Sequence, residues 1–172
     1  MGADIKALRS RIKSVDSTMH LTRAMGLVAS SKIRRANEAM QKTRAYARTL
    51  ADMTDMLLSC PECAKSPYLR ANGERAVLIV VAGDRGLAGG YNANVFRLAA
   101  QTAAEQVIPI GRRACDRYGA EPVSSESYTS AQAHALAKSL CTAFREGRCD
   151  RVAIAATRYV SMMTQEAYVR QL

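Results

Sequence analysis

Asp4 to Leu58, DIKALRSRIKSVDSTMHLTRAMGLVASSKIRRANEAMQKTRAYARTLADMTDMLL, decides the fold. The stretch has no proline and a single glycine, Gly26. Set in heptads with Ile5 first, the a places fall on Ile5, Ile12, Met19, Gly26, Ile33, Met40, Ala47 and Thr54. The d places fall on Leu8, Val15, Thr22, Ala29, Ala36, Thr43, Leu50 and Leu57. Most of these are apolar or small and none is charged, which is the pattern of a coiled-coil strand. A helix of this length runs about 80 Å, far beyond the width of a small domain, so it is expected to lie along a partner. Thr22, Gly26 and Ala29 are small enough for a partner backbone to approach closely. Glycine within a helix costs about 1 kcal/mol relative to alanine, so Gly26 is expected to serve packing or flexibility. Leu21, Met25 and Val28 add a second apolar stripe. The other faces are basic: eleven Lys and Arg stand against five acids, a net charge of +6.

The whole chain has 172 residues, a net charge of +10 and 48% hydrophobic residues. That length suits one domain with an appendage and a modest core. The composition is that of a folded protein rather than a disordered one. MGADIKALRSR at the start is charged and has no apolar h-region, so no secretory signal is expected. Lys6 stands where a myristoylation motif requires Ser or Thr. No run approaches the length of a membrane span, and the chain reads as cytosolic.

Five cysteines, at 60, 63, 115, 141 and 149, are an odd number without an export signal and suggest thiols rather than a disulfide framework. Cys60-Pro-Glu-Cys63 is a C-x-x-C. A thioredoxin-type pair lies between a strand and a helix start, whereas this one follows a long helix. A structural zinc site needs two further ligands at close spacing, and the other cysteines are scattered singly. A chance pair in a surface loop is the favoured reading.

Pro61 to Gly73, PECAKSPYLRANG, has two of the four prolines and no periodicity, and reads as a linker. Beyond it the texture changes. AVLIVVA, from Ala76 to Ala82, is a short continuous apolar run, as in a central parallel strand covered on both faces. Ala93–Gln106 is expected as a helix, Val107–Ile110 as a strand, and Arg112–Tyr118 as a helix stopped by Gly119. Pro122–Ser125 is a weak candidate strand. Ser130 is expected to cap a helix from Ala131 to Arg145, with Gly147 at its end. Arg151–Thr157 is a strand, and the tail from Tyr159 begins as a possible one. The fold class is therefore α/β: a long amino-terminal coiled-coil helix over 1–60, a linker over 61–73, and a small Rossmann-like, mostly parallel α/β domain over 74–172.

The loop Gly83-Asp84-Arg85-Gly86-Leu87-Ala88-Gly89-Gly90 stands between a strand and a helix, where phosphate-binding loops stand. Its glycine spacing fits neither G-x-G-x-x-G nor G-x-x-x-x-G-K-[ST], and Asp84 would set a negative charge beside a phosphate. A tight turn that needs glycines for positive φ and close backbone approach, with Asn92 capping the next helix, is favoured. His20 and His134 have no evident partners. Ser30-Ser31 and Ser124-Ser125 lack a nucleophile elbow, and no paired carboxylates suggest a pocket. No catalytic, cofactor or metal site is read from the sequence.

Three stretches together resemble one family. LTRAMGLVASSKIRRANEAM, ending in TRAYA, looks like the amino-terminal helix of the γ subunit of F-type ATP synthases. Gly83-Asp84-Arg85-Gly86-Leu87, with Gly89, Gly90 and Asn92, resembles that family's S-D-R-G-L-C-G-x-x-N. SMMTQEAYVRQL, at the end, resembles its S-x-x-T-Q-E-P-x-x-x-x-L. The motifs fall in the family's order and span nearly the whole chain.

The resemblance implies a rotor shaft. The rod would sit within the ring of α and β subunits, and the α/β domain would form a foot beside the ε subunit and the membrane ring of c subunits. Proton flow would turn the foot, and the asymmetric shaft would drive the β subunits through their states. No cofactor and no catalytic site of its own are implied, and the location would be the cytoplasmic face of the inner membrane in a bacterium. Arg23 and Met25 match the region that meets the β subunit, and Lys32, Arg34 and Arg35 would face acidic loops at its base. Ala88 replaces the family's cysteine, Gly26 a long residue, and Ala167 a proline. Family members continue into a second long helix, antiparallel to the first. The seam of Asp4–Leu58 is then expected to lack its mate within these residues and to self-associate. Two other classes fit less well. A basic nucleic-acid binder would gather its charge on one face, and a nucleotide-binding α/β enzyme rests on the glycine loop alone.

Overall fold

The computed structural model describes residues 2–69, 73–161 and 163–172. The chain forms two compact units, Met1–Pro61 and Glu62–Leu172. Residues 70–72 of the expected linker and Met162 of the final motif lie outside the described residues.

The first unit is one helix, α1 (Gly2–Leu58). Nothing in its sequence interrupts the ladder, and Gly26 alone is a weak point. Its seam is open: Ile5, Leu8, Ile12, Val15, Leu50 and Leu57 are each more than half exposed. The seam threonines hide their hydroxyls within the helix. Thr22 Oγ1 donates to the Thr18 carbonyl (2.8 Å), Thr43 to Ala39 (3.2 Å) and Thr54 to Leu50 (2.8 Å). Back-bonding of this kind satisfies the hydroxyl locally, so a threonine in the seam need not find a polar partner across it.

The second unit begins with two 3-10 turns, Pro61–Lys65 and Pro67–Leu69. There follow β1 (Ala76–Val81), α2 (Tyr91–Gln101), β2 (Gln106–Ile110), α3 (Arg112–Tyr118), α4 (Ser130–Arg145), β3 (Arg151–Tyr159) and β4 (Gln165–Gln171). The sheet order is β2-β1-β3-β4. β1 pairs in parallel with both β2 and β3, and β4 runs antiparallel to β3. A parallel central strand needs cover on both faces, and the continuous apolar β1 supplies it: Val77, Leu78, Ile79 and Val80 are all buried. Leu78, Val80 and Ala82 pack with Val95 and Ala99 of α2, Ala114 of α3 and Ala155 of β3.

Several expected boundaries move. α2 ends at Gln101, so that Gln106 can open β2 opposite Val77. Pro122–Ser125 is not a strand; it is held by one backbone bond, Gly111 N–H to the Val123 carbonyl at 3.0 Å, and by contacts of Val123 with Cys115. α4 is capped by Thr129 rather than Ser130. Thr129 and Gln132 form a reciprocal capping box, in which each side chain accepts from the other's backbone N–H. The tail from Tyr159 makes its strand at Gln165–Gln171, an edge strand tied to β3 by an Arg158–Glu166 ion pair. Gly119 closes α3 in the left-handed conformation, as expected (φ 65°).

Candidate functional site

The glycine loop is organised by two polar side chains. Asn92 does not cap α2; Gly90 takes that place without a side-chain bond. From the first turn of α2, Asn92 instead reaches back into the loop. Its Oδ1 accepts from the Gly83 N–H (2.9 Å) and its Nδ2 donates to the Arg85 carbonyl (3.3 Å). Asp84 points the other way. Its Oδ1 accepts from the N–H groups of Arg112 (2.9 Å) and Ser125 (2.8 Å), and its Oδ2 from the Ser124 hydroxyl (2.6 Å) and the Glu126 N–H (3.0 Å). Burial opposes the charge on Asp84, but the four hydrogen bonds outweigh it and hold its carboxyl well below the usual carboxylate range.

Asp84 thus stands where an anion would stand. It fills the amino terminus of α3 and two backbone donors of the 124–126 turn, and Asn92 fills the first donor of the loop. A phosphate offered here would meet the Gly83 N–H and the Arg112, Ser125 and Glu126 N–H groups already bound by the protein's own side chains. Of the loop glycines, only Gly89 has a positive φ (56°). Gly83, Gly86 and Gly90 do not, so positive φ accounts for Gly89 alone; a β-carbon on Gly86 would stand 2.9 Å from the Arg113 guanidinium and one on Gly90 3.1 Å from the Asn94 amide. Leu87 shares the left-handed region (φ 58°) and stands fully exposed at the loop tip, beside exposed Arg85. Gly83, Asp84, Arg85, Gly86, Gly89, Gly90 and Asn92 therefore form one folded turn. The donors that Asp84 accepts from come from 28 to 42 residues further along the chain.

The residues singled out on the helix form no such cluster. Arg23, Met25, Lys32, Arg34 and Arg35 are all exposed along α1. They spread over about 18 Å of its length, and Arg34 pairs with Glu38 one turn on at 3.9 Å.

Two features were missed in the sequence. Asp150, 3% exposed, receives Arg75 in a fork, Nε at 3.0 Å and Nη2 at 3.2 Å, and also accepts the Arg75 N–H at 3.0 Å. The Arg75 hydrogen bonds hold the Asp150 carboxyl below its ordinary range. The pair locks the start of β1 to the start of β3, and a β-carbon on Gly73 would stand 2.7 Å from Asp150 Oδ2. Nothing local announces a bond between residues 75 apart. The second feature is an apolar groove of about 880 Å³ between α4 and the sheet, lined by Ile79, Val81, Ile154, Leu136, Leu140 and Phe144 among others. The Tyr68 ring stacks on Phe144 at 6.4 Å at its end.

A long helix with an exposed apolar seam is thus attached in sequence to a small, mostly parallel α/β unit. The family model described as ATP synthase matches residues 4–172, and the chain belongs to that family. It is 35% identical over 185 residues to the ATP synthase gamma chain of Moorella thermoacetica, covering 99% of this chain and 65% of that one. The gamma chain of Nostoc punctiforme is 35% identical over 189 residues, with 99% and 60% covered. The chain thus spans somewhat less than two thirds of the length of these relatives. Among solved structures, the central stalk and c-ring of the Tetrahymena thermophila mitochondrial ATP synthase matches with a TM-score of 0.67 at 17% identity, over 88% of this chain and 71% of that chain. That likeness shows the fold. Among the described residues, no helix is long and apolar enough to cross a membrane.

Proposed function

We propose that this chain is the γ, central-stalk part of a rotary ATP synthase. It would couple proton passage through a membrane ring to ATP synthesis or hydrolysis in an α/β hexamer, without a catalytic site of its own. The observation that carries this reading is α1, a 57-residue helix whose apolar seam is exposed from Ile5 to Leu57. Such a surface is costly in water at roughly 25 cal/mol per Å², so in the assembled protein it lies against other polypeptide. In this reading residues 1–60 are shaft, 61–73 linker and 74–172 foot. Arg23, Met25, Lys32, Arg34 and Arg35 meet the β subunits. Their exposure along α1 supports this. The foot stands with the ε subunit beside the c-subunit ring, and the complex holds the chain at the cytoplasmic face of the membrane. The Asp84 carboxylate, which occupies the amino terminus of α3 where a phosphate would bind, favours this over a nucleotide-binding enzyme.

The test is a tagged pull-down of the natural gene product from its own cells, read by mass spectrometry. Recovery of α, β and ε subunits is the expected result. Recovery of nucleic acid, or of no ATP synthase subunit, would overturn the proposal.

A further inference from the structure

We propose that α4 is a cover over the apolar groove rather than a layer of the core, and that Tyr68 is the latch that holds it closed. α4 has 16 residues, against 11 in α2 and 7 in α3, yet none of them is buried. The shorter helices do better: α2 buries Val95 and Ala99, and α3 buries Ala114 and Cys115. Leu136, Leu140 and Phe144 line the groove from α4 and are only half-buried. The groove is the reason. About 880 Å³ of space lies among these side chains and Ile79, Val81 and Ile154 of the sheet. Side chains that face a gap forfeit much of their dispersion contact, so α4 is held on the sheet weakly for its length.

The polar ties of α4 are to its own ends. Thr129 and Gln132 cap its start, and the N–H groups of Gly147, Arg148 and Cys149 return to the Phe144 and Ala143 carbonyls at its finish. These bonds keep the helix with its flanking turns and do not fasten it to the sheet. The fastening comes from the segment ahead of β1. There the Ser66 N–H donates to the Cys63 carbonyl (2.8 Å), the Tyr68 N–H to Ser66 Oγ (3.4 Å) and the Leu69 N–H to the Ser66 carbonyl (3.1 Å). This built turn presents the Tyr68 ring to Phe144, with 6.4 Å between centroids and 16° between planes, an offset stack. Leu69 lines the same end of the groove. Tyr68 remains 50% exposed, so its ring can leave without disturbing the core. Once it leaves, α4 opens by local unfolding ahead of the rest of the sheet. The face made by Ile79, Val81, Ile110, Val152 and Ile154 is then uncovered.

The test is hydrogen exchange of the full 172-residue chain under native conditions, read by mass spectrometry on peptides from α4, α2 and β1. The α4 amides are expected to exchange before those of α2 and β1. Tyr68→Leu keeps an apolar side chain but removes the stack. It should speed α4 exchange by about 2- to 13-fold and leave α2 and β1 unchanged. Tyr68→Phe keeps the ring and should match wild type. Phe144→Leu removes the stack from the other side without touching the 66–69 turn, and should reproduce the acceleration. The proposal is overturned if wild-type α4 is as protected as α2, or if neither leucine variant speeds α4. Acceleration of α2 and β1 to the same extent as α4 would overturn it equally, since the stack would then be part of the core.

Discussion

Replacing Asp84 by asparagine removes one charge and one acceptor from a carboxylate that binds three backbone N–H groups and a hydroxyl. With the amide oxygen kept at the Oδ1 position, the bonds from Arg112 and Ser125 survive as neutral ones. The new NH2 group can donate to Ser124, whose hydroxyl turns to accept. It cannot accept from Glu126, whose N–H then faces another donor. A hydrogen bond to a charged group contributes about 1.5–3 kcal/mol. Glu126 is exposed, so water repairs part of the loss, and the net cost is about 2 kcal/mol. For a unit of about 110 residues this corresponds to a fall in Tm of about 8 °C, measured by calorimetry at pH 7. The pH dependence adds a second arm. The Asp84 carboxyl is held below its ordinary range in the folded state. Its charge-linked stability is therefore fully present above about pH 4 and drains away as pH falls below that. Wild type should lose stability to acid more steeply than Asp84→Asn, and the two curves should converge. Equal Tm values at pH 7, or parallel acid slopes, would refute the role assigned to this carboxylate.

Gly26→Ala should stabilise α1 by about 1 kcal/mol, because a β-carbon there meets nothing within 4 Å; thermal melting of helicity by circular dichroism checks it. Gln132→Ala removes one arm of the capping box and should cost about 1 kcal/mol, read from the same melt. Asp150→Ala leaves the Arg75 N–H and guanidinium without their acceptor, and amide exchange should accelerate at the starts of β1 and β3 before elsewhere in the sheet. The isolated 172-residue chain should self-associate through its seam in sedimentation equilibrium, and Ile12→Lys with Leu50→Lys should reduce that association. A wild type that stays monomeric at high concentration would count against the exposed seam as the cause.

How much of this was legible in the sequence follows the distance over which each determinant acts. α1 was legible because helix formation and seam periodicity are properties of neighbours three and four residues apart. β1 and α3 were legible for similar reasons, from a continuous apolar run and from a glycine stop. The capping box at Thr129 and Gln132 was also written locally, as T-x-x-Q, and was passed over for the adjacent serine. The glycine loop was recognisable as a motif, but of the two reasons its glycines suggested, positive φ holds for Gly89 alone, and close approach at Gly86 and Gly90 is to side chains.

The sequence by itself determined that a long apolar-seamed helix precedes a small parallel α/β unit, because both patterns are carried by short-range periodicity. Only the tertiary structure decided what Asp84, Asn92, Arg75 and Asp150 do. Asp84 serves as an internal anion because α3 and the 124–126 turn bring their N–H groups to it, and Asp150 is satisfied because parallel pairing sets β1 beside β3. The groove beneath α4 belongs to the same class, since it depends on how closely a helix settles on a sheet. Those outcomes depend on chain segments tens of residues apart meeting in space, and no local pattern encodes such a meeting.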